Sequence, residues 1–429
     1  MTNSKNSQLS KFYKRTIDER REAIRQWVGS DVDVDRLLTE NLTHLQADNM
    51  VENVIGTYAL PLGIATNFQI NGRDYLIPMV VEEPSVIAAA SNAAKMFRAG
   101  GGFYTSSDEP VMIGQIQVLD VDNPKQAAQN VLDAKLELLA KADEVGGSIL
   151  KRGGGTRDIE VRVFEATDIG AMLVVHLLMD TRDAMGANAI NTAVEHIAPD
   201  IARLTGGRTH LRILSNLTDK RKAKAWGIVP ASELAKDGGN GHDVVQTIVE
   251  ASVFAEVDPY RAATHNKGVM NGIDAVVIAT GNDWRAVEAG AHAFVARHGS
   301  YTSLSRFRAN QSGDLYAEIE MPLAVGIVGG ATRVHPLAQL ALKILGVTSA
   351  RELAEVILSV GLAQNFAAVK ALAGEGIQQG HMRLHAKQLA LAAGASVEMV
   401  PEIVETLIRE NMIRLERAQA LVKQLRGEG

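Results

Sequence analysis

The chain has 429 residues, 46% of them hydrophobic, a net charge of -6 and no cysteine. That length allows more than one domain around a large core, while the acidic balance excludes a general nucleic-acid binder, which needs a basic face. The lack of cysteine excludes disulfides, thiolate metal sites and every mechanism with an enzyme thiol nucleophile.

No apolar run approaches the roughly 20 residues of a membrane span. The N-terminus, MTNSKNSQLSKFYKRT, lacks the apolar stretch of a secretory signal. A cytoplasmic location with no membrane partner is expected. Thr16-Ile-Asp-Glu19 has capping-box spacing ahead of a helical pattern at Ile17, Ile24, Trp27 and Val28. A further helix is expected over Asp48 to Ile55. Gly63 to Val81 reads as a hairpin, with Asn71-Gly72 supplying the two positive-φ positions of a type I′ turn. Its second strand runs into Glu82-Glu83-Pro84-Ser85, and Pro84 suits the first position of an Ala-rich helix reaching Arg98. Glu83 thus falls at a strand-to-helix junction. It is either a site residue or an acid favoured by the helix dipole.

From Pro110 to Asn216 the pattern changes and suggests an inserted domain. A strand at Val111 to Val121 precedes a helical stretch from Pro124 to Ala142. Strands at Ile159 to Phe164 and Met172 to Met179 follow, then a helix from Gly186 to Leu204 and a strand from Thr209 to Leu214. That order, β-α-β-β-α-β, is the split-βαβ or ferredoxin-like one. Small residues in Asp183-Ala-Met-Gly-Ala-Asn188 open its second helix, where free N–H groups suit a pyrophosphate. A plain tight turn fits equally well. There is no GxGxxG, so this is not a Rossmann site. Gly153-Gly154-Gly155 reads as a connector or as a second place of close backbone approach.

Beyond Asn216, a helix from His242 to Val257 leads into DPYRAATHNKGVMNGIDAVVIATGNDWRAVEAG, Asp258 to Gly290. Within it the short apolar run Ala275 to Ala279 reads as a buried strand, and Asn282 or Asp283 caps a helix from Trp284. Folded back across the strand end, Lys267 and Asp283 would meet in a crevice; otherwise they are a surface pair and a cap. A second hairpin, Thr302 to Phe307 with Leu315 to Glu320, precedes the glycine-rich Gly326 to Thr332. Helices fill most of Leu337 to Leu372. Gly374, Gly376 and Gly380 loosen the chain before His381-Met-Arg-Leu-His385, as a hinge requires. An amphipathic helix from Pro401 to Leu425 closes the chain. His381 and His385 lack the support of an HExxH-type metal motif, and no metal is expected.

Taken together, the runs ENVIGT (Glu52 to Thr57), NFQINGRD (Asn67 to Asp74), VEEPS (Val81 to Ser85), RDAMGAN (Arg182 to Asn188), DPYRAATHNKG (Asp258 to Gly268), ATGNDWRA (Ala279 to Ala286), VGGAT (Val328 to Thr332) and GHM (Gly380 to Met382) resemble the 3-hydroxy-3-methylglutaryl-coenzyme A reductase family, in its soluble prokaryotic class II. The resemblance implies an α+β fold. A large, mainly helical substrate-binding domain (1–109 and 217–374) would carry an inserted ferredoxin-like, non-Rossmann dinucleotide-binding domain (110–216) and a mobile helical C-terminal flap (375–429). It places the catalytic set on Glu83, Lys267, Asp283 and His381. Lys267 would stabilise oxyanions, Glu83 would donate a proton, Asp283 would orient Lys267 and hold Glu83 protonated, and His381 would protonate the departing thiolate.

The same resemblance assigns Ser85, Arg261 and Asn271 to substrate, with Arg261 clamping its free carboxylate. It assigns Asp183, Met185, Gly186, Ala187 and Asn188 to NADPH or NADH. HMG-CoA would be taken to mevalonate and coenzyme A by two hydride transfers, or the reverse. The nucleotide domain of one subunit would serve the other, so a homodimer or an oligomer of dimers is implied. Lys151-Arg152 stand before the three glycines, where NADH-preferring relatives tend to carry an acid. Basic residues suit a 2′-phosphate and favour NADPH. A non-redox coenzyme A thioester hydrolase or lyase would use the same Lys/Glu/His cluster without consuming reduced cofactor, and a non-catalytic oligomeric binding protein would keep only the fold.

Overall fold

The computed structural model describes residues 5–39, 42–235, 239–373, 377–396 and 398–426, without the side chains of 38–39 and 377–384. Two compact units form, Met1–Phe366 and Ala367–Gly429. The first holds ten strands among its described residues: β1 Leu62–Ile70, β2 Arg73–Val80, β3 Phe103–Ser107, β4 Val111–Leu119, β5 Gly155–Phe164, β6 Met172–Asp180, β7 Arg208–Leu214, β8 Lys222–Val229, β9 Ser305–Ala309 and β10 Leu315–Pro322.

Six of them make one sheet in the order β2-β1-β3-β8-β10-β9, and four make another in the order β5-β6-β4-β7. The first sheet opens on the expected hairpin, where Asn71 and Gly72 both take positive φ, 48° and 79°, as a type I′ turn demands. In the second, the inserted strands lie in the order 2-3-1-4 with every pairing antiparallel. That is the ferredoxin-like arrangement read from the sequence. Helix Ala187–Thr205 buries Ile190, Ala193, Val194, Ile197 and Ile201 against it.

The main departure concerns Ala275 to Ala279, which is not a strand. It is the last turn of a helix running from Pro259 to Ala279, capped by Asp258, whose side chain accepts from the Arg261 N–H. A short, apolar, β-branched run cannot by itself be told from a buried helix segment. Here His265, Asn266, Val269, Met270, Gly272, Ile273, Val276 and Val277 are buried, so the helix is enclosed nearly all round. Gly272 lets it cross helix Ala350–Ala373 closely: a Cβ there would stand 2.9 Å from the Val360 carbonyl oxygen. On its other side it packs on β2.

Smaller corrections share a cause, the loss of helical dihedrals at one residue. The expected helix at Asp48 to Ile55 is instead His44–Met50, capped by Thr43 and Gln46. The stretch from Pro124 to Ala142 breaks at Ala134 into Pro124–Asp133 and Lys135–Asp143. Helix Val86–Ala99 begins after Pro84, with Ser85 left-handed at φ 74° as its N-cap. The C-terminal stretch breaks at Asn411, φ 50°, into Val400–Arg409 and Leu415–Arg426.

These two helices and Ile377–Ala392 form the core of the second unit around Ala386, Ala390, Ile403, Leu407, Ala418 and Val422. That unit begins at Ala367, inside helix Ala350–Ala373, where the sequence suggested 375. Contrary to the expectation that no apolar run is long enough, this helix has the length and composition to cross a membrane. Its apolar window is 67% buried within the protein.

Candidate active site

Helix Pro259–Ala279 supplies the platform of the site. Lys267 and Asn271 are one turn apart on one face, and Glu83 stands in the turn that follows β2, the strand this helix packs on. The Lys267 ammonium donates to Glu83 Oε2 at 2.7 Å, and Asn271 Nδ2 donates to the same oxygen at 3.3 Å. The side chains are 61% and 34% exposed for Lys267 and Glu83, so the pair faces solvent rather than a sealed core. Three of the expected site residues are thus brought together by one helix face and one turn. Ser85 adjoins them at the N-cap of helix Val86–Ala99, in a left-handed conformation that costs a non-glycine residue energy and is favoured at working sites.

Arg261 lies further up the same helix, with no hydrogen-bond or ion-pair partner for its guanidinium among the described residues. Burial holds it below the ordinary arginine range. A partly buried, unpaired guanidinium is what a carboxylate ligand would satisfy. His265, one turn on, is no acid–base candidate. Burial, and then the Arg261 charge, push its imidazole down to about 4. Its Nε2 and Ser305 Oγ are 2.7 Å apart, while Ser305 donates onward to Asn365 Oδ1. It is a neutral core residue.

Asp283 is not with them. Lys267 and Ala279 are separated by about 18 Å of helix axis, at 1.5 Å per residue, and Asp283 lies beyond that end. There Asp283 Oδ1 accepts from the N–H groups of Arg285 and Ala286, and Arg285 is 3.4 Å away. The crevice pairing of Lys267 with Asp283 therefore does not form within this chain, because the segment between them is helical. His381 falls in helix Ile377–Ala392, and its side chain lies outside the described residues.

Asp183 to Asn188 forms the turn into helix Ala187–Thr205. Gly186 is its N-cap at φ 98°, with no side chain capping the first turn. A Cβ at Gly186 would stand 2.4 Å from Thr181 Cγ2, so only glycine fits, and the N–H groups of Ala187 and Asn188 stay uncapped by any side chain. This cradle fits the pyrophosphate of a dinucleotide. Asp183 itself is engaged: its Oδ1 accepts from the Ala350 N–H at 2.9 Å.

Gly153 is adjacent, since Arg182 donates to its carbonyl oxygen at 2.5 Å. Lys151 and Arg152 are exposed where helix Gly147–Lys151 ends. The acids that precede the three glycines are occupied, Asp143 by Thr156 and Glu144 by His196. A cavity of about 580 Å³ elsewhere is lined by Lys5, Trp27, Arg73, Asp74 and Arg98, among others, and by none of the expected site residues.

Two residues tie these loops together and were not singled out in the sequence. Asn282 donates to the Gly326 carbonyl at 3.1 Å and accepts from the Gly326 N–H at 2.8 Å. Arg221, buried, bonds the carbonyls of Ala184, Met185 and Val325. Arg221 sits in the basic run Lys220-Arg-Lys222, which reads as solvated surface. Asn282 reads only as a second possible cap.

Comparison with known proteins agrees with this architecture. The family model described as hydroxymethylglutaryl-coenzyme A reductase matches residues 16–386. The 3-hydroxy-3-methylglutaryl-coenzyme A reductase of Archaeoglobus fulgidus is 52% identical over 421 residues, covering 98% of this chain and 95% of the relative. A probable reductase of the same name from Borreliella burgdorferi is 34% identical over 383 residues, covering 89% and 86%. The class II reductase of Streptococcus pneumoniae, solved bound to NADPH in open conformations, superposes with a TM-score of 0.82 at 43% identity, covering 96% of this chain and all of that one. The chain belongs to the class II hydroxymethylglutaryl-coenzyme A reductase family and is an NAD(P)H-dependent oxidoreductase.

Proposed function

We infer that the protein interconverts HMG-CoA with mevalonate and free coenzyme A, in the cytoplasm, through Glu83, Lys267, Asp283 and His381. The observation that carries the assignment is the Lys267–Glu83–Asn271 cluster on one helix face. Bound reduced nicotinamide supplies the hydride for each of the two reductions. The chain's own groups do the rest. Lys267 holds negative charge developing on the carbonyl oxygen, an interaction worth about 3 to 4 kcal/mol per donor. Glu83, beside Lys267, delivers a proton to that oxygen. Arg261 holds the free carboxylate in a bidentate grip, with Ser85 and Asn271 as polar neighbours. His381 protonates the departing thiolate when the C-terminal flap, 375–429, closes. The inserted domain, 110–216, takes the dinucleotide at Asp183 to Asn188, with Lys151 and Arg152 favouring NADPH. No metal enters the scheme.

Asp283 joins the site from a second copy of the chain. Val253, Phe254, Val257 and Tyr260 leave an exposed apolar stripe beside the start of the central helix, and Trp284 is exposed beside its end. Such patches mark interfaces. In a two-fold dimer each contact occurs twice with the roles exchanged. A two-fold partner seated on these patches therefore brings its own Asp283 turn toward this chain's Lys267 and receives this chain's turn in exchange.

The test is coupled: with HMG-CoA and NADPH, loss of reduced-cofactor absorbance and release of free thiol are followed together. The assignment requires both, at about two cofactors per thiol. Thiol without oxidation would mean a hydrolase, and neither signal a lyase or a binding protein.

A further inference from the structure

Arg221 is the buried cation that the mechanism does not use. It follows the last strand of the inserted domain and directly precedes β8, and the residue is 5% exposed. Burial pushes its guanidinium down to about 10, so it stays charged at neutral pH. Among the described residues it forms no ion pair. Its bonds go to Thr181 Oγ1 at 3.1 Å, to the carbonyls of Ala184 at 3.2 Å and Met185 at 3.1 Å, and to the Val325 carbonyl. A guanidinium desolvated among carbonyls is costly, and each bond to a charged donor is stronger than a neutral one.

What those bonds fix is a direction. In a trans peptide the carbonyl and the following N–H point opposite ways. With the Ala184 and Met185 carbonyls held by Arg221, the N–H of Gly186 faces away from it, at the uncapped end of helix Ala187–Thr205. Val325 begins the segment that pairs with the same loop: the Ile327 N–H donates to the Asp183 carbonyl, and Ala184 bridges Val328. The intervening Gly326 is clasped by Asn282, next to Asp283.

We propose that Arg221 is a positioning residue for the nicotinamide nucleotide, setting the Asp183–Asn188 loop in register with the Asn282–Asp283 turn. The proposal rests on the assignment of that loop to the cofactor. Arg221→Met, similar in length but without donors, is expected to raise the KM and the Kd for NADPH about tenfold or more, with the KM for HMG-CoA within about twofold of the parent. Arg221→Lys, which keeps the charge but not the fork, should fall between the two. NADPH fluorescence titration gives the Kd directly, and Asn188→Ala is measured alongside.

If Asn188→Ala weakens NADPH and folded Arg221→Lys and Arg221→Met bind it as the parent does, the positioning role is overturned while the loop assignment stands. If Asn188→Ala also leaves NADPH binding intact, the loop assignment has failed first. Should Arg221→Met not fold, Arg221→Lys decides. A lowered melting temperature with an unchanged KM for NADPH would reduce Arg221 to a structural clamp and overturn the proposal.

Discussion

Helix Pro259–Ala279 holds apart two opposite charges, one on its own face and one in the turn that follows it, in different states of pairing. Toward the N-terminal half, Lys267 has its carboxylate partner at 2.7 Å and an amide one turn on. Past the C-terminal end, Asp283 is a helix cap with an exposed arginine beside it. A helix is a rigid ruler, and about 18 Å of it keeps the two apart in one chain. The lesson is that a single copy pairs the Lys267 cation and leaves the Asp283 carboxylate turned outward as a helix cap. A two-fold partner is the simplest way to join them.

Removing the paired cation should have the largest effect. Lys267→Ala is expected to lower turnover of both HMG-CoA and mevaldehyde by about 10³-fold with the fold retained, read by cofactor oxidation with each substrate. Near-parental rates would take Lys267 out of the chemistry. His381→Ala should be selective. A thiolate leaves only in the thioester half, so HMG-CoA reduction should drop about 10²-fold while mevaldehyde reduction suffers much less. Equal losses on both would assign His381 to closure or binding.

The comparison itself is tested by mixing. Lys267→Ala and Asp283→Ala proteins, each inactive, are unfolded together, refolded and assayed. If Asp283 acts across the two-fold axis, half of the randomly assembled dimers are mixed, and each has one intact site, giving about a quarter of parental activity. If both residues act within one chain, a mixed dimer has no intact site and the mixture stays inactive.

Most of this was legible in the sequence where a local rule is strong. Asn71-Gly72 dictated its hairpin, Thr16 and Glu19 their capping box, and the alternation of periods gave the inserted domain's order. The motif runs carry Glu83 and Lys267, and the family resemblance adds Asn271, the three residues that one helix face and one turn bring together. The failures are equally physical. β8 went unread because its buried face is Ala223, Ala225, Gly227 and Val229, residues too small to make alternation stand out. β3, FYTSS, is mostly polar. Ala275 to Ala279 was misread because a helix buried on nearly every side loses its polar stripe, and with it the 3.6-residue period. Arg221 was invisible, since nothing local separates a buried arginine from its solvated neighbours Lys220 and Lys222.

A smaller effect concerns the cofactor side. Lys151 and Arg152 are exposed beside the Gly153 to Gly155 turn, which Arg182 ties to the Asp183 loop. If they meet a 2′-phosphate, replacing both with Ala should raise the KM for NADPH about tenfold and spare NADH. An equal shift for the two cofactors, or none, would remove them from the site and leave the NADPH preference without support.

The smallest effect lies between the two ends of the helix. Asp274 sits on the face of Lys267 and Asn271, two turns beyond the lysine, where Oδ1 is buried without a hydrogen-bond partner. Burial, and then Glu288 from helix Trp284–Ala296, raise its carboxyl from 3.8 to about 8. An acid that holds its proton more tightly when folded contributes stability that is complete below the unfolded value. That contribution is lost as pH rises through the folded one. From about pH 4 upward the unfolded chain gains by ionising Asp274, and the folded protein follows only near pH 8. Asp274→Asn keeps the shape of the protonated acid and does not titrate. Its melting temperature should gain on the parent's as pH rises from about 6 to 9, by about 2 °C or more. Because Asp274 hydrogen-bonds none of the proposed reacting groups among the described residues, turnover at pH 7 should change little. Melting curves that stay parallel across that range would mean Asp274 is ionised in the folded protein, and that the space between the two ends of the helix is wetter than its packing implies.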